Sequence, residues 1–156
     1  GLRDLQADPP EHHSPLLRYP WEVTNRTLES LHEAHGGQLV SLEYVNPVTG
    51  GPAIPTFACE LHRVYPGART QGRRKVGSSI YVVFQGSGRT VMNGQRFDWG
   101  PGDIFVSPSW AAVDHEADEQ ADLFVVSDAP TVRAARMYRE ELLETPQEVL
   151  SVFEPR

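Results

Sequence analysis

Between Thr56 and Pro108 glycine, proline and asparagine cut the chain into runs of at most ten residues, rich in β-branched and aromatic side chains, and one more such run, Ala121 to Val126, follows. Runs this short and of this composition suit strands rather than packed helices. They are Thr56 to Tyr65, Ser79 to Gln85, Arg89 to Met92, Gln95 to Trp99, Asp103 to Ser107 and Ala121 to Val126. Turn signals stand between them: Pro66-Gly67, Gly86-Ser87-Gly88, Asn93-Gly94 and Gly100-Pro101-Gly102-Asp103. Asn93-Gly94 is a strong hairpin signal, because both residues tolerate the positive φ that a two-residue turn requires. Many short strands at this spacing predict a mainly β sandwich or small barrel, an architecture that commonly encloses a pocket.

The flanks differ in character. Residues 1–20 hold four prolines, no clear period and the His12-His13 pair, and read as an extended arm. Its apolar Leu16, Leu17 and Tyr19, with Trp21 just beyond, are expected to cover another surface, in this chain or in a partner copy. From Thr24, a candidate N-cap, Leu28 and Leu31 share a helical face before a Gly36-Gly37 stop, which predicts one short helix. His32 and His35 lie three apart on it. That spacing can ligate a metal, but no third ligand stands nearby, so both are expected to face solvent. A second helix is expected from Pro130 to about Glu144, opened by proline and closed before Pro146. The division expected is residues 1–52 as arm and helix packing on the barrel, 53–128 as the barrel, and 129–156 as C-terminal helix and tail.

At 156 residues the chain has the size of one domain, able to bury a core without disulfide or metal staples. No apolar run is long enough for a membrane-spanning helix, and no secretory start is visible. The lone Cys59, read as a small core residue, cannot form an internal disulfide, so the expected location is cytoplasmic. The net charge of −7 argues against binding nucleic acid. Against that acidic background Arg69, Arg73, Arg74 and Lys75 form one cationic cluster.

That cluster falls inside a recognisable spacing. Gly67 is followed at fixed intervals by Arg73, Lys75, Ser79 and Gly86, and after fifteen more residues by Gly102, Pro108, Trp110 and Val113. This resembles the two-part frame of the cupins over residues 67–117. Longer strings carry the resemblance further: Ser14-Pro15-Leu16-Leu17-Arg18-Tyr19-Pro20-Trp21, Glu43 to Pro52 (EYVNPVTGGP), Arg96 to Asp103 (RFDWGPGD), and Val106-Ser107-Pro108-Ser109-Trp110. They look like the C-terminal cupin of gentisate 1,2-dioxygenases and the related salicylate and 1-hydroxy-2-naphthoate dioxygenases. The resemblance implies a cupin jelly-roll barrel with an N-terminal arm and short helix and a C-terminal helix. It also implies a parent chain with a second cupin domain, Fe(II)-dependent ring cleavage of hydroxylated aromatic acids, and assembly into homo-oligomers.

The resemblance fails at the metal. Cupin metal sites use two His one residue apart and a later His, because residues i and i+2 share a strand face. The matching positions hold Arg73, Lys75 and Val113, with Ser79 in place of the general cupin Glu. Arg and Lys offer no lone pair at neutral pH, and Val has none. No metal or other cofactor is therefore expected in this domain, the Fe(II) belonging to the catalytic cupin of the parent. His62 and His115 would be the first ligands of a displaced site.

Two functions follow. In the first, the domain is a structural or assembly half of a ring-cleaving dioxygenase and is inactive alone. In the second, it is a metal-independent module binding a small aromatic carboxylate. Its candidate pocket comprises Arg73, Lys75, Tyr81, Trp110, Val113 and His115, with Phe84 as further apolar wall. A metal-free enzyme finds no support, since no Ser-His-Asp set, reactive Cys or paired carboxylates stand at a workable spacing.

Overall fold

At Asn93-Gly94 the backbone takes φ of 49° and 81° and joins strand β5 (Gly88–Met92) to β6 (Gln95–Trp99), with Met92 facing Gln95. This is the two-residue hairpin that the sequence signals. The computed structural model describes residues 14–154, and the His12-His13 pair lies outside them. The other strands are β1 (Leu39–Glu43), β2 (Ala58–Val64), β3 (Arg73–Lys75), β4 (Ser79–Gln85), β7 (Ile104–Ser107), β8 (Val113–Ala117), β9 (Ala121–Ser127), β10 (Glu140–Leu142) and β11 (Ser151–Val152). They form two sheets, ordered β1-β2-β9-β4-β7 and β10-β3-β8-β5-β6-β11. Val64, Tyr81, Val83, Leu123 and Val125 of the first sheet close on Trp99 and Ala117 of the second, which makes the barrel core.

Alternation along β2 sorts its residues between two environments. Leu61 points outward and packs with Leu28 and Val40 beneath helix α1 (Trp21–His35). Glu60 and His62 line the barrel interior. Helix α1 starts three residues ahead of Thr24, after Pro20 in extended conformation, and the Thr24 hydroxyl bonds back to the Pro20 carbonyl. From Ser14 onward the chain lies against its own domain, Ser14 N–H donating to Ala53 O and the Tyr19 hydroxyl to Val45 O, while Leu16 and Leu17 stay exposed instead of covering a surface of this chain.

Two expectations need correction. His32 does not stand free in solvent; its ring stacks on Tyr65 at 3.6 Å, because the outward face of β2 ends in an aromatic beneath the helix. The C-terminal helix is short: α2 spans only Ala129–Ala134, and Arg136 then takes φ of 58°. The Glu-Glu-Leu that follows becomes β10 and pairs with β3, setting Glu140 opposite Lys75, Glu141 opposite Arg74 and Leu142 opposite Arg73. Opposite charges across an antiparallel pair favour this pairing over the helix propensity of the segment. Strand β1 precedes residue 53 and still pairs along β2, so the sheet begins at Leu39.

Gly86 shows why the turn glycines are needed. Its φ is 81°, and a Cβ there would stand 2.5 Å from Gln120 O and 2.6 Å from Ala121 Cα, both backbone. Gly86→Ala is expected to cost about 2–3 kcal/mol, read as a lower denaturation midpoint. A loss below about 0.5 kcal/mol would count against this account.

Candidate functional site

A cavity of about 270 Å³ lies inside the barrel, lined from both sheets. Strand β3 has Arg73 and Lys75 on one face, two residues apart, and β8 contributes Val113 and His115 in the same way. Glu60 and His62 of β2 and Tyr81 of β4 line it from the other sheet. Of the six pocket residues named from the sequence, Arg73, Lys75, Tyr81, Val113 and His115 thus meet. Trp110 does not join them: its ring packs under the Arg139 guanidinium at 4.2 Å, and its backbone turns at φ 66°. Phe84 is outside as well, on the outer sheet face against Trp21 at 4.9 Å. One-residue alternation explains this, since Tyr81 and Val83 point into the core and Phe84 therefore points away.

The two cations differ in their partners. Arg73 Nη1 donates to Glu140 Oε1 at 3.2 Å, so the β10 strap engages it at the rim. Lys75 has no ion-pair partner within 4.0 Å among the described residues. His62 Nε2 lies 2.7 Å from Glu60 Oε2, and the second Glu60 oxygen accepts from the Ser127 hydroxyl at 3.3 Å. Burial pushes the Glu60 carboxyl up. The His62 hydrogen bond and charge, Lys75 and Ser127 outweigh burial and hold it at about 2. His62 Nδ1 is buried and has no hydrogen-bond partner.

His115 is held differently. Its Nδ1 pairs with the Thr90 hydroxyl at 2.8 Å, and that hydroxyl also accepts from Trp99 Nε1 at 2.9 Å. Burial, then the neighbouring His62, Arg73 and Lys75, push the imidazole down to about 3, so it is neutral at physiological pH. Tyr81 stacks on Phe105 at 4.8 Å, and burial pushes its phenol up to about 12. Half-buried Cys59 is pushed up by burial and by Glu43 and Glu60, which leaves the thiol protonated and unreactive. Among the described residues no three His, Cys, Asp or Glu side chains form a metal-binding group.

Sequence reasoning missed Glu60 as a site residue, and also Tyr138 and Glu140 of the C-terminal segment. Glu60 and His62 carried a signal, polar residues two apart on a strand face whose other positions, Ala58 and Val64, are apolar. The other two did not, because a strap over the barrel is a tertiary arrangement.

No family model matches the sequence. The chain is 37% identical over 145 residues to the 5-aminosalicylate 1,2-dioxygenase of Comamonas sp., a match covering 90% of this chain and 38% of that protein. It is 35% identical over 151 residues to a gentisate 1,2-dioxygenase of Streptomyces sp., covering 89% of this chain and 41% of the relative. The salicylate 1,2-dioxygenase of Pseudoaminobacter salicylatoxidans, solved as adducts with gentisate, superposes with a TM-score of 0.82 at 38% identity. That superposition covers 93% of this chain and 42% of the enzyme. The chain belongs to the gentisate dioxygenase family. It is a cupin domain of that family and spans about two-fifths of the length of these relatives. No helix among its described residues is long and apolar enough to cross a membrane.

Proposed function

We propose that this chain is the metal-free cupin of a ring-cleaving dioxygenase acting on hydroxylated aromatic acids, and that it serves assembly rather than chemistry. One observation carries the reading. Two cationic side chains, Arg73 and Lys75, and the hydrocarbon of Val113 line the cavity, and by the cupin resemblance of the sequence these are the positions that would hold three His in a metal-binding member. This donor set does not fit Fe(II): the two cations repel it and offer no lone pair. The nearby imidazoles have other commitments, His62 to Glu60 and His115 to Thr90. In this reading iron in a second cupin of the parent supplies the Lewis-acid and redox chemistry.

An uncovered sheet face supports the assembly role. Ile80, Phe84, Ile104 and Val106 share the outer face of β4 and β7, with Ile104 66% and Val106 54% exposed. An apolar face of this kind marks an interaction surface in soluble proteins, and we assign it to the partner cupin of the parent chain. Homo-oligomerisation and a cytoplasmic location complete the reading. Supplied with Fe(II), gentisate and dioxygen, the 156-residue chain is expected to show no oxygen uptake. Ring cleavage by this chain alone would overturn the proposal.

A second reading is favoured by Lys75, a cation on the cavity wall with no carboxylate within 4.0 Å among the described residues: the cavity takes a small aromatic carboxylate without metal. Its volume lies just under the range usual for drug-sized ligands, which limits the occupant to about one ring.

A further inference from the structure

We infer that the open edge of β7 pairs antiparallel with β7 of a second copy of this chain, joining two five-stranded sheets into one across a two-fold axis at Phe105. The inference rests on the assembly reading above: a partner cupin and a second copy compete for one edge, and in the 156-residue chain the second copy takes it.

The phase of the hydrogen bonding leaves that edge open. Gly102 N–H donates to Val83 O and Val83 N–H to Asp103 O, both at 2.9 Å, which places a bulge at Gly102 just ahead of β7. Antiparallel ladders alternate between residue pairs that exchange hydrogen bonds and pairs that do not. Onward from Val83 and Asp103, Tyr81 and Phe105 exchange them, while Val82 with Ile104 and Ile80 with Val106 do not. The N–H and C=O of Ile104 and Val106 therefore point away from β4, and among the described residues nothing bonds to them there.

Charge and cover set this edge apart from the other three. The opposite edge of the same sheet, β1, lies beneath α1 and carries Glu43. The second sheet ends in β10, with Glu140 and Glu141, and in β11, which has two residues. Folded proteins blunt their sheet edges with charge, shortness or cover. Strand β7, Ile-Phe-Val-Ser, has no charge, and its Ile104 and Val106 side chains stand in water.

The same edge is complementary to itself, as a two-fold contact requires. With Phe105 on the axis, Ile104 stands opposite Val106 of the copy and exchanges both backbone hydrogen bonds with it, and the pair occurs twice. Asp103 falls opposite Ser107 of the copy, so no like charges meet. Ile80, Phe84, Ile104 and Val106 are between 45% and 66% exposed on the outer face. At roughly 100 Å² apiece they offer on the order of 400 Å² of apolar surface. A standard interface takes about 800 Å² from each partner, so the dimer is a weak one, dissociating in the micromolar range.

Sedimentation of the 156-residue chain from about 1 to about 500 µM tests this, together with amide hydrogen exchange read residue by residue. A monomer–dimer equilibrium is expected. At the high concentration the Ile104 and Val106 amides should slow about tenfold or more, while the Phe105 amide is slow throughout. Ile104→Lys puts a charge on the edge, and Val106→Pro removes an N–H that bonds nothing within the chain; each should weaken the dimer about tenfold or more. Leu17→Lys, on the exposed arm, should leave it unchanged. A monomer at the highest concentration, a dimer that either β7 substitution leaves intact, or a dimer lost with Leu17→Lys and kept with Ile104→Lys overturns the inference. Each of these leaves the assembly reading standing, which oxygen uptake by the chain decides. Amide exchange in the wild-type protein needs no variant, so it decides even where a substitution fails to fold: Ile104 and Val106 amides indifferent to concentration overturn the pairing.

Discussion

Arg63→Met is expected to lower stability by about 3–5 kcal/mol, the largest loss foreseen for a single substitution in this domain. For a chain of this length that corresponds to about 6–20 °C in melting temperature. Arg63 of β2 faces Asp122 of β9 in register, with Nε 2.7 Å from Oδ1 and Nη2 2.8 Å from Oδ2. Both side chains are 0% exposed. Asn25 of α1 accepts from Nη2 at 2.8 Å, and Gln85 of β4 donates to Asp122 at 2.6 Å, so one ion pair ties the helix to three strands. Removing Arg63 leaves the Asp122 carboxylate buried with only the Gln85 amide to serve it. Arg63→Met combined with Asp122→Leu should recover most of the loss, because no buried charge then remains. Urea denaturation of both variants checks this; a single variant within about 1 kcal/mol of wild type would mean that water reaches Asp122. The site depends on the same pair, since β2 directs Arg63 outward and His62 into the cavity.

Where the structure departs from what the sequence announces, buried polar residues are usually the reason. Strands β4, β5, β6, β7 and β9 were legible because they are short runs rich in β-branched and aromatic residues and most of their turns carry Gly, Pro or Asn. Strand β8 was not among them, since Val-Asp-His-Glu-Ala lacks the run of β-branched and aromatic residues that marks the others. It is a strand because Asp114 has Gln147 at 2.9 Å and Arg69 at 3.4 Å, while His115 has Thr90. Those partners come from distant segments, and no local pattern announces them. Strand β3 is equally opaque: Arg73-Arg74-Lys75 reads as a solvated loop until Glu140 and Glu141 are laid beside it. The same limit applies to the cavity. The i, i+2 spacing put Arg73 with Lys75 from sequence alone, but that Glu140 forms its ion pair with Arg73 is a tertiary fact.

Acid should unfold this domain in two stages, and His115 sets the first. In the unfolded chain a His titrates near 6.5, whereas in the barrel His115 is held at about 3. Between these values the unfolded chain binds a proton that the native protein refuses, so stability falls as pH falls, by about 1.4 kcal/mol per pH unit. From pH 6.5 to 4.5 that amounts to about 3 kcal/mol, and the effect is absent above 6.5, where both states are neutral. Glu60 adds a second stage with the same sign. Its native carboxyl stays ionised down to about 2, while in the unfolded chain it takes up a proton near 4.5, so its contribution is lost from about pH 4.5 downward. Stability against pH is therefore expected to bend downward near 6.5 and more steeply below 4.5. His115→Phe should erase the first bend and leave the second, whatever its effect on stability at pH 8. The measurement is a urea midpoint series from pH 8 to pH 4 on both proteins. Parallel curves would show that His115 protonates in the native barrel, and then the imidazole would share the cavity with Arg73 and Lys75 as a third cation.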